Sequence, residues 1–152
     1  PNRLQNALTT INPKVPASAI EDALRKLRTF GTPNLTETNR RFWHMLTEGV
    51  DVEYKTTERT VHDKVWLIDF EHPEKNDFLA VNQFTITEGK KNRRPDVVLF
   101  VNGLPLGLIE LKNAGDENAT THKAFKQLQT YKQELPSLLG FNVALVASDG
   151  FT

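Results

Sequence analysis

Residues 95–112 constrain the fold of this chain more than any other stretch. Two apolar runs flank Asn102-Gly103, a dipeptide typical of a tight β-hairpin turn. The runs are rich in leucine, valine and isoleucine, which favours two paired strands buried in a core. One acidic residue opens the hairpin, and an acidic and a basic residue close it. The stretch therefore predicts a buried hairpin with charged side chains at its open end.

Those charged residues are Asp96, in a Pro-Asp pair, and Glu110 and Lys112, in a Glu-x-Lys run. Residues two apart on a strand point to one face, so Glu110 and Lys112 are neighbours. Phosphodiester hydrolysis is assisted by a hard cation, and Mg²⁺ takes oxygen ligands, commonly from one or two carboxylates. We predict that Asp96 and Glu110 bind Mg²⁺, with the Leu111 carbonyl as a third oxygen, and that Lys112 holds a point charge near the attacking water and the phosphate. The alternative, that these charges only mark where a strand emerges into water, remains open on these residues alone.

A metal site shared by Asp96 and Glu110 depends on the register of the hairpin. If Asn102-Gly103 is a two-residue turn in a regular ladder, Asp96 falls opposite Ile109 and points away from Glu110. A shift of one residue returns both carboxylates to one face. We therefore predict an odd-numbered loop, of about three or five residues, or a β-bulge.

The rest of the chain predicts a mixed α/β fold. A short helix is expected around Leu4, Ala7 and Leu8. Longer apolar stripes predict helices at about 18–29, 36–48 and 119–134, the first with a Ser18–Glu21 capping box. Strands are expected at 50–54, 65–70, 78–86 and 142–147, the first three in an antiparallel meander, and a turn at 113–118. Gln127 and Tyr131 are neighbours on one face of the last helix, where Gln127 can reach the hairpin site or a phosphate.

Composition narrows the function classes only a little. The 152 residues suit one domain with a substantial core, and the formal net charge of +0 gives no global attraction to nucleic acid. A basic cluster at 90–94 includes Arg93 and Arg94. Taken alone, such a cluster favours a solvated loop, but its place just before Asp96 makes Arg93 and Arg94 candidates to contact phosphates. The chain has no cysteine, no signal-peptide pattern and no apolar run near the roughly 20 residues that span a bilayer. We expect a soluble, cytoplasmic protein.

The ordered set of motifs resembles the N-terminal endonuclease domain of the R subunit of type I restriction enzymes, and the resemblance covers nearly the whole chain. It is carried by the segments 39–42, 46–50, 68–70, 76–84, 94–96, 102–105, 109–112 and 127–131.

The resemblance implies a restriction-endonuclease-like α/β fold with a PD-(D/E)xK core, a mixed β-sheet flanked by helices. Asp96 and Glu110 would be metal ligands, Lys112 the catalytic lysine, and Gln127 and Tyr131 the family's Q-x-x-x-Y motif, which is linked to nuclease activity. Residues 1–152 would form a single nuclease domain of a longer chain, with N-terminal helices and extra strands up to about 77 and the core in 78–152.

The resemblance also implies partners: double-stranded DNA and the modification and specificity subunits of a restriction complex. ATP would bind only in the motor domains of the parent protein. Two alternatives remain open, a stand-alone repair or junction nuclease of the same fold and a non-catalytic docking or DNA-binding module.

Overall fold

The computed structural model describes residues 2–112 and 121–148, and within them the chain forms two compact units. Unit 1 comprises residues 1–78 with 101–104, and unit 2 comprises residues 79–100 with 105–152. The predicted turn at 113–118 and the first two residues of the predicted helix at 119–134 lie outside the described residues.

Three helices open unit 1: α1 (Asn2–Ile11), α2 (Ala17–Thr29) and α3 (Leu35–Glu48). All three were expected, because their apolar residues recur at helical spacing and are buried, as Ile20, Leu24 and Leu27 are in α2. The predicted capping box is wrong. Pro16 is the N-cap of α2 and Ser18 lies inside the first turn, so its hydroxyl cannot act as the cap.

Unit 1 continues into an antiparallel hairpin of β1 (Val50–Lys55) and β2 (Thr60–Val65), in which Val50 pairs with Val65. The predicted strand at 65–70 is wrong, because β2 ends at Val65 and residues 66–70 are irregular. The three-strand meander predicted for 50–86 is wrong for the same reason, since β1 and β2 form a two-stranded sheet of their own.

Asparagine side chains take the place of a strand partner for the irregular segment. Asn12 accepts from the Trp66 N–H at 2.8 Å, and Asn76 accepts from the Asp69 N–H at 2.9 Å. A short 3-10 helix, Pro73–Lys75, precedes Asn76. Asn102, fully buried, donates to the Leu67 carbonyl at 2.8 Å. Buried backbone groups need such partners, so these asparagines replace the ladder that the apolar sequence suggested.

The four-stranded sheet has the order β3-β6-β7-β8 and lies largely in unit 2. Its strands are β3 (Phe78–Asn82), β6 (Val97–Val101), β7 (Leu104–Leu111) and β8 (Ala144–Ser148). β7 and β8 are parallel, with Glu110 paired to Ala147, and β6 returns antiparallel into β7. A separate antiparallel pair, β4 (Ile86–Glu88) and β5 (Lys91–Arg93), connects β3 to β6 along the chain.

The strand predicted at 78–86 is therefore two strands, with a break after Asn82. Gln83 has a φ of 53°, in the left-handed region, which turns the chain out of β3. The sequence shows neither glycine nor proline at this point, so the break carries no local signal.

α4 (Thr121–Glu134) and α5 (Pro136–Leu139) connect β7 to β8 in unit 2, and α4 packs against β8. The core of this unit includes Val98 and Leu108 from the sheet and Leu128 from α4. The mixed α/β class predicted from the sequence is confirmed. In the described ranges, no helix has the length and apolarity that crossing a membrane requires.

Candidate functional site

Asp96 lies immediately before β6 and is held by Gln83, which directly follows β3, and by Leu111 at the end of β7. The Gln83 side chain donates from Nε2 to Asp96 Oδ1 at 3.0 Å, and the Leu111 N–H donates to Oδ2 at 2.8 Å. The Gln83 N–H also donates to the Asp96 carbonyl at 2.8 Å. Both carboxylate oxygens are thereby oriented, and each keeps a further lone pair for another partner.

The register of β6 and β7 places Asp96 beside Glu110. A Cβ built on Gly107 would lie 3.2 Å from the Leu99 Cβ, so these two residues share a face and oppose each other. Continuing that register puts Asp96 opposite Glu110.

The predicted odd-numbered loop is wrong, because the turn is the bare pair Asn102-Gly103, with φ angles of 53° and 82°. A regular ladder from that turn would pair Leu99 with Leu106. The close approach of Leu99 and Gly107 indicates one extra residue on β7, which is the bulge given as the alternative. Pro105, which has no N–H to pair, lies in this interval.

Glu110 is a fully buried carboxylate, and neither of its oxygens makes a hydrogen bond of normal distance and angle with the described residues. The Lys112 Nζ is 4.0 Å from its Oε2. Burial raises the pKa of the Glu110 carboxyl to about 6, and the charge of Asp96 adds to that rise. The Tyr131 hydroxyl, the Lys112 charge and the Asp96 N–H nevertheless lie close enough to lower this pKa, but they do not cancel the effect of burial. A buried carboxylate that lacks hydrogen bonds of normal geometry is costly and fits a site for a cation.

Lys112, Gln127 and Tyr131 form a chain of hydrogen bonds beside Glu110. The Lys112 Nζ donates to Gln127 Oε1 at 2.7 Å, and Gln127 Nε2 donates to the Tyr131 hydroxyl at 2.7 Å. Burial raises the pKa of Tyr131 to about 12, so its hydroxyl keeps its proton near neutral pH. Gln127 and Tyr131, singled out from helical spacing, therefore do meet the hairpin charges.

Arg93 and Arg94 differ in their surroundings. The Arg93 guanidinium donates from Nε to Glu134 Oε2 at 2.5 Å, and Lys91 lies 3.1 Å from Oε1 of the same carboxylate. The bond from Arg93 holds the pKa of Glu134 below its usual range. Arg94 is exposed to solvent. Half of the predicted phosphate pair is thus engaged by an acidic residue of α4.

An open pocket of about 430 Å³ lies next to these groups, lined by Asn82, Gln83, Asp96, Val97, Leu111 and Lys112. No cluster of three or more acidic or histidine side chains suited to a metal occurs within 2–112 and 121–148. A cation here would depend on two carboxylates with main-chain or water oxygens, a set that Mg²⁺ accepts.

Sequence reasoning missed Gln83 and Glu134. Gln83 lay inside a predicted strand, and Glu134 at the end of a predicted helix, so neither position suggested a contact with the site. The only available signal for Gln83 was its place in the segment 76–84 that carries the family resemblance.

Comparison with known protein families settles where this chain belongs. The family model described as "Type I restriction enzyme R protein N terminus" matches residues 1–152. The chain belongs to that family. The resemblance drawn from the motifs is thus confirmed, and two R-protein relatives extend it. The endonuclease subunit of the type I restriction enzyme HindI from Haemophilus influenzae is 40% identical over 149 residues, 97% of this chain. The putative type I restriction enzyme MjaIXP endonuclease subunit from Methanocaldococcus jannaschii is 34% identical over 152 residues, 98% of this chain.

The chain spans only about 14% of the length of each of these two relatives. It therefore corresponds to the N-terminal region of an R protein, and the names of the relatives describe much longer polypeptides.

Proposed function

We propose that this chain is the Mg²⁺-dependent endonuclease domain of a type I restriction enzyme R subunit. It hydrolyses DNA phosphodiester bonds without sequence preference. Its core has the PD-(D/E)xK fold, and Asp96, Glu110 and Lys112 are the residues of that motif. The sequence contains no recognisable motif for base-specific DNA binding, which fits a domain whose target is chosen elsewhere in a complex.

The observation that carries the proposal is the fully buried Glu110 carboxylate, neither oxygen of which makes a hydrogen bond of normal geometry with the described residues. Asp96 opposes it across the hairpin and is already oriented by two donors. Two carboxylates opposite each other at the ends of neighbouring strands suit a hard divalent cation, which prefers oxygen ligands. The donor set therefore fits Mg²⁺, which Asp96 and Glu110 would hold.

Each residue of the site has a part in the hydrolysis. A divalent cation held by Asp96 and Glu110 would lower the pKa of a water molecule and stabilise negative charge on the phosphate oxygens. Lys112 holds its positive Nζ beside Glu110, where it attracts the phosphate and orients the attacking water. Gln127 fixes the position of that Nζ, and Tyr131 connects Gln127 to the neighbourhood of Glu110.

The basic residues before Asp96 give the DNA backbone a point of contact. Arg94 is exposed and serves as a phosphate ligand. Arg93 acts mainly through Glu134, which fixes β5 to α4.

The remaining parts of the function belong to the intact enzyme. The domain works on double-stranded DNA, with modification and specificity subunits as partners, and ATP is used by motor domains outside residues 1–152. Because this chain covers a small share of its relatives, cleavage is to be tested in the full-length R protein within its complex.

The test compares DNA cleavage and ATP-driven translocation for Asp96→Ala, Glu110→Ala and Lys112→Ala. We expect each change to lower the cleavage rate by at least about 100-fold, because each removes charge used in the transition state. Translocation is expected to continue at the wild-type rate.

Two exposed residues of unit 1 provide matched controls. Glu58→Ala and Lys55→Ala remove the same kinds of charge from the β1–β2 hairpin, and both are expected to cut like wild type. Wild-type cleavage by the Asp96, Glu110 and Lys112 variants would contradict the proposal and favour a non-catalytic docking or DNA-binding module.

A further inference from the structure

Gln83 contacts Asp96 through both its main chain and its side chain. Its N–H donates to the Asp96 carbonyl at 2.8 Å and its Nε2 to Asp96 Oδ1 at 3.0 Å. The main-chain bond fixes the position of the Asp96 backbone, and the side-chain bond fixes the rotation of its carboxylate. The only other described partner of that carboxylate is the Leu111 N–H.

The backbone of Gln83 is held in a conformation that glutamine rarely adopts. Its φ of 53° is in the left-handed region, which favours glycine and, among other residues, asparagine. A turn alone would be better served by either of those. Glutamine adds an amide whose reach spans the distance from the turn to Asp96, which neither glycine nor asparagine provides.

Solvent exposure separates this role from a role in the core. Gln83 is exposed and lines the open pocket next to Asp96 and Lys112. Removing its side chain therefore loses little packing, and the main consequence falls on the Asp96 carboxylate.

We propose that Gln83 is a positioning residue for cation binding, which holds the Asp96 carboxylate in the rotamer that faces Glu110. This inference rests on the proposed function, in which Asp96 is a ligand of the cation. Outer groups that orient a ligand commonly change metal affinity by about 10- to 100-fold when removed. Gln83 acts through Asp96 and contacts neither the cation nor the DNA.

The test uses Gln83→Gly and Gln83→Asn in the full-length protein. Both variants tolerate the left-handed backbone, and both lose the bond to Asp96 Oδ1. Mn²⁺ binding without ATP is followed by electron paramagnetic resonance, and the binding lost in Asp96→Ala identifies this site. We expect both variants to raise the Mn²⁺ Kd of that site about tenfold.

The Mg²⁺ dependence of cleavage is a second measurement, and a purely structural role of Gln83 would leave it unchanged. At limiting Mg²⁺ the variants are expected to have a lower kcat with the KM for DNA unchanged, and high Mg²⁺ is expected to restore the wild-type kcat. Gln133→Ala, which removes an exposed glutamine from α4, serves as the control and is expected to match wild type in both assays.

The outcomes distinguish the inference from the proposal on which it rests. If Asp96→Ala abolishes Mn²⁺ binding and cleavage while both Gln83 variants bind Mn²⁺ like wild type, the positioning role is refuted and the nuclease site stands. If Asp96→Ala itself binds Mn²⁺ and cuts like wild type, the proposed function fails and the inference fails with it.

Discussion

Replacing Glu110 by glutamine is expected to stabilise the cation-free protein at alkaline pH. Glutamine has nearly the same shape but cannot ionise, so it removes the cost of burying a charge that lacks hydrogen bonds of normal geometry. Burial raises the pKa of Glu110 from 4.5 to about 6 in the folded state. At 1.36 kcal/mol per pKa unit, that difference corresponds to about 2 kcal/mol.

The sign of the effect depends on pH. Below about pH 4, Glu110 is protonated in both the folded and the unfolded protein, so its raised pKa costs nothing. As the pH rises from about 4.5 past about 6, the unfolded state ionises more easily than the folded state, and stability is lost. Glu110→Gln avoids this loss, so its gain is expected to be about 2 kcal/mol at pH 8 and near zero at pH 4.

Urea denaturation in the absence of divalent cations measures the gain. With a slope of about 2 kcal/mol per molar urea, 2 kcal/mol moves the midpoint up by about 1 M. Far-ultraviolet circular dichroism is the suitable probe, because it follows the backbone of both units, whereas Trp43 and Trp66 both lie in unit 1.

An exposed glutamate supplies the control for this experiment. Glu58→Gln, on the β1–β2 hairpin, is expected to change stability by less than about 0.5 kcal/mol at either pH. An unchanged or lower midpoint for Glu110→Gln at pH 8, or an equal gain at pH 4, would refute the reasoning from the buried charge.

Two further substitutions test other features of the molecule. Tyr131→Phe removes a hydroxyl that lowers the pKa of Glu110, so that pKa is expected to rise further, as measured by carbon-13 NMR titration of the carboxyl group; a fall would contradict the assigned contact. Gly103→Ala places a Cβ 3.1 Å from the Leu4 nitrogen at a φ of 82° and is expected to destabilise by about 2–4 kcal/mol in thermal unfolding. Gly89→Ala, at a φ of 58° in open space, is its control and is expected to cost only about 1 kcal/mol; equal losses would show that the contact at Leu4 is unimportant.

The sequence allowed the helices to be predicted well, because their signal is local. In α3, Phe42 and Leu46 recur at helical spacing, and Gly49 ends the helix with a φ of 79°. The same holds for Gln127 and Tyr131 in α4, whose shared face follows from spacing alone.

Features set by tertiary contacts escaped prediction. Residues 66–70 have the apolar composition of a strand, but side chains distant in sequence, such as Asn12, supply their hydrogen bonds. At the break, Gln83 is bonded to Asp96, which lies 13 residues further along the chain, just before β6. The residues next to these segments in the sequence do not indicate that Asn12 or Asp96 is the partner.

The candidate site was predicted only in part, because some of its geometry is local and some depends on how two strands pair. The spacing of Glu110 and Lys112 fixes their common face, so their proximity needed only the strand. Asp96 lies on the same face as Glu110 only because β7 contains one extra residue. From the sequence, a bulge was one of several ways to bring the two carboxylates to one face. The roles of these residues in cation binding and cleavage stay predictions until the variants are assayed.

The bonds from Lys112 to Tyr131 have a direction that the chemistry of their groups dictates. An ammonium can only donate, so Gln127 must turn its oxygen toward Lys112 and its NH₂ toward Tyr131. The Tyr131 oxygen therefore accepts, and its own proton is left to point away from Gln127. Lys112→Met would thus remove more than a charge, because the glutamine amide would be free to flip and the orientation of the tyrosine proton would be lost with it.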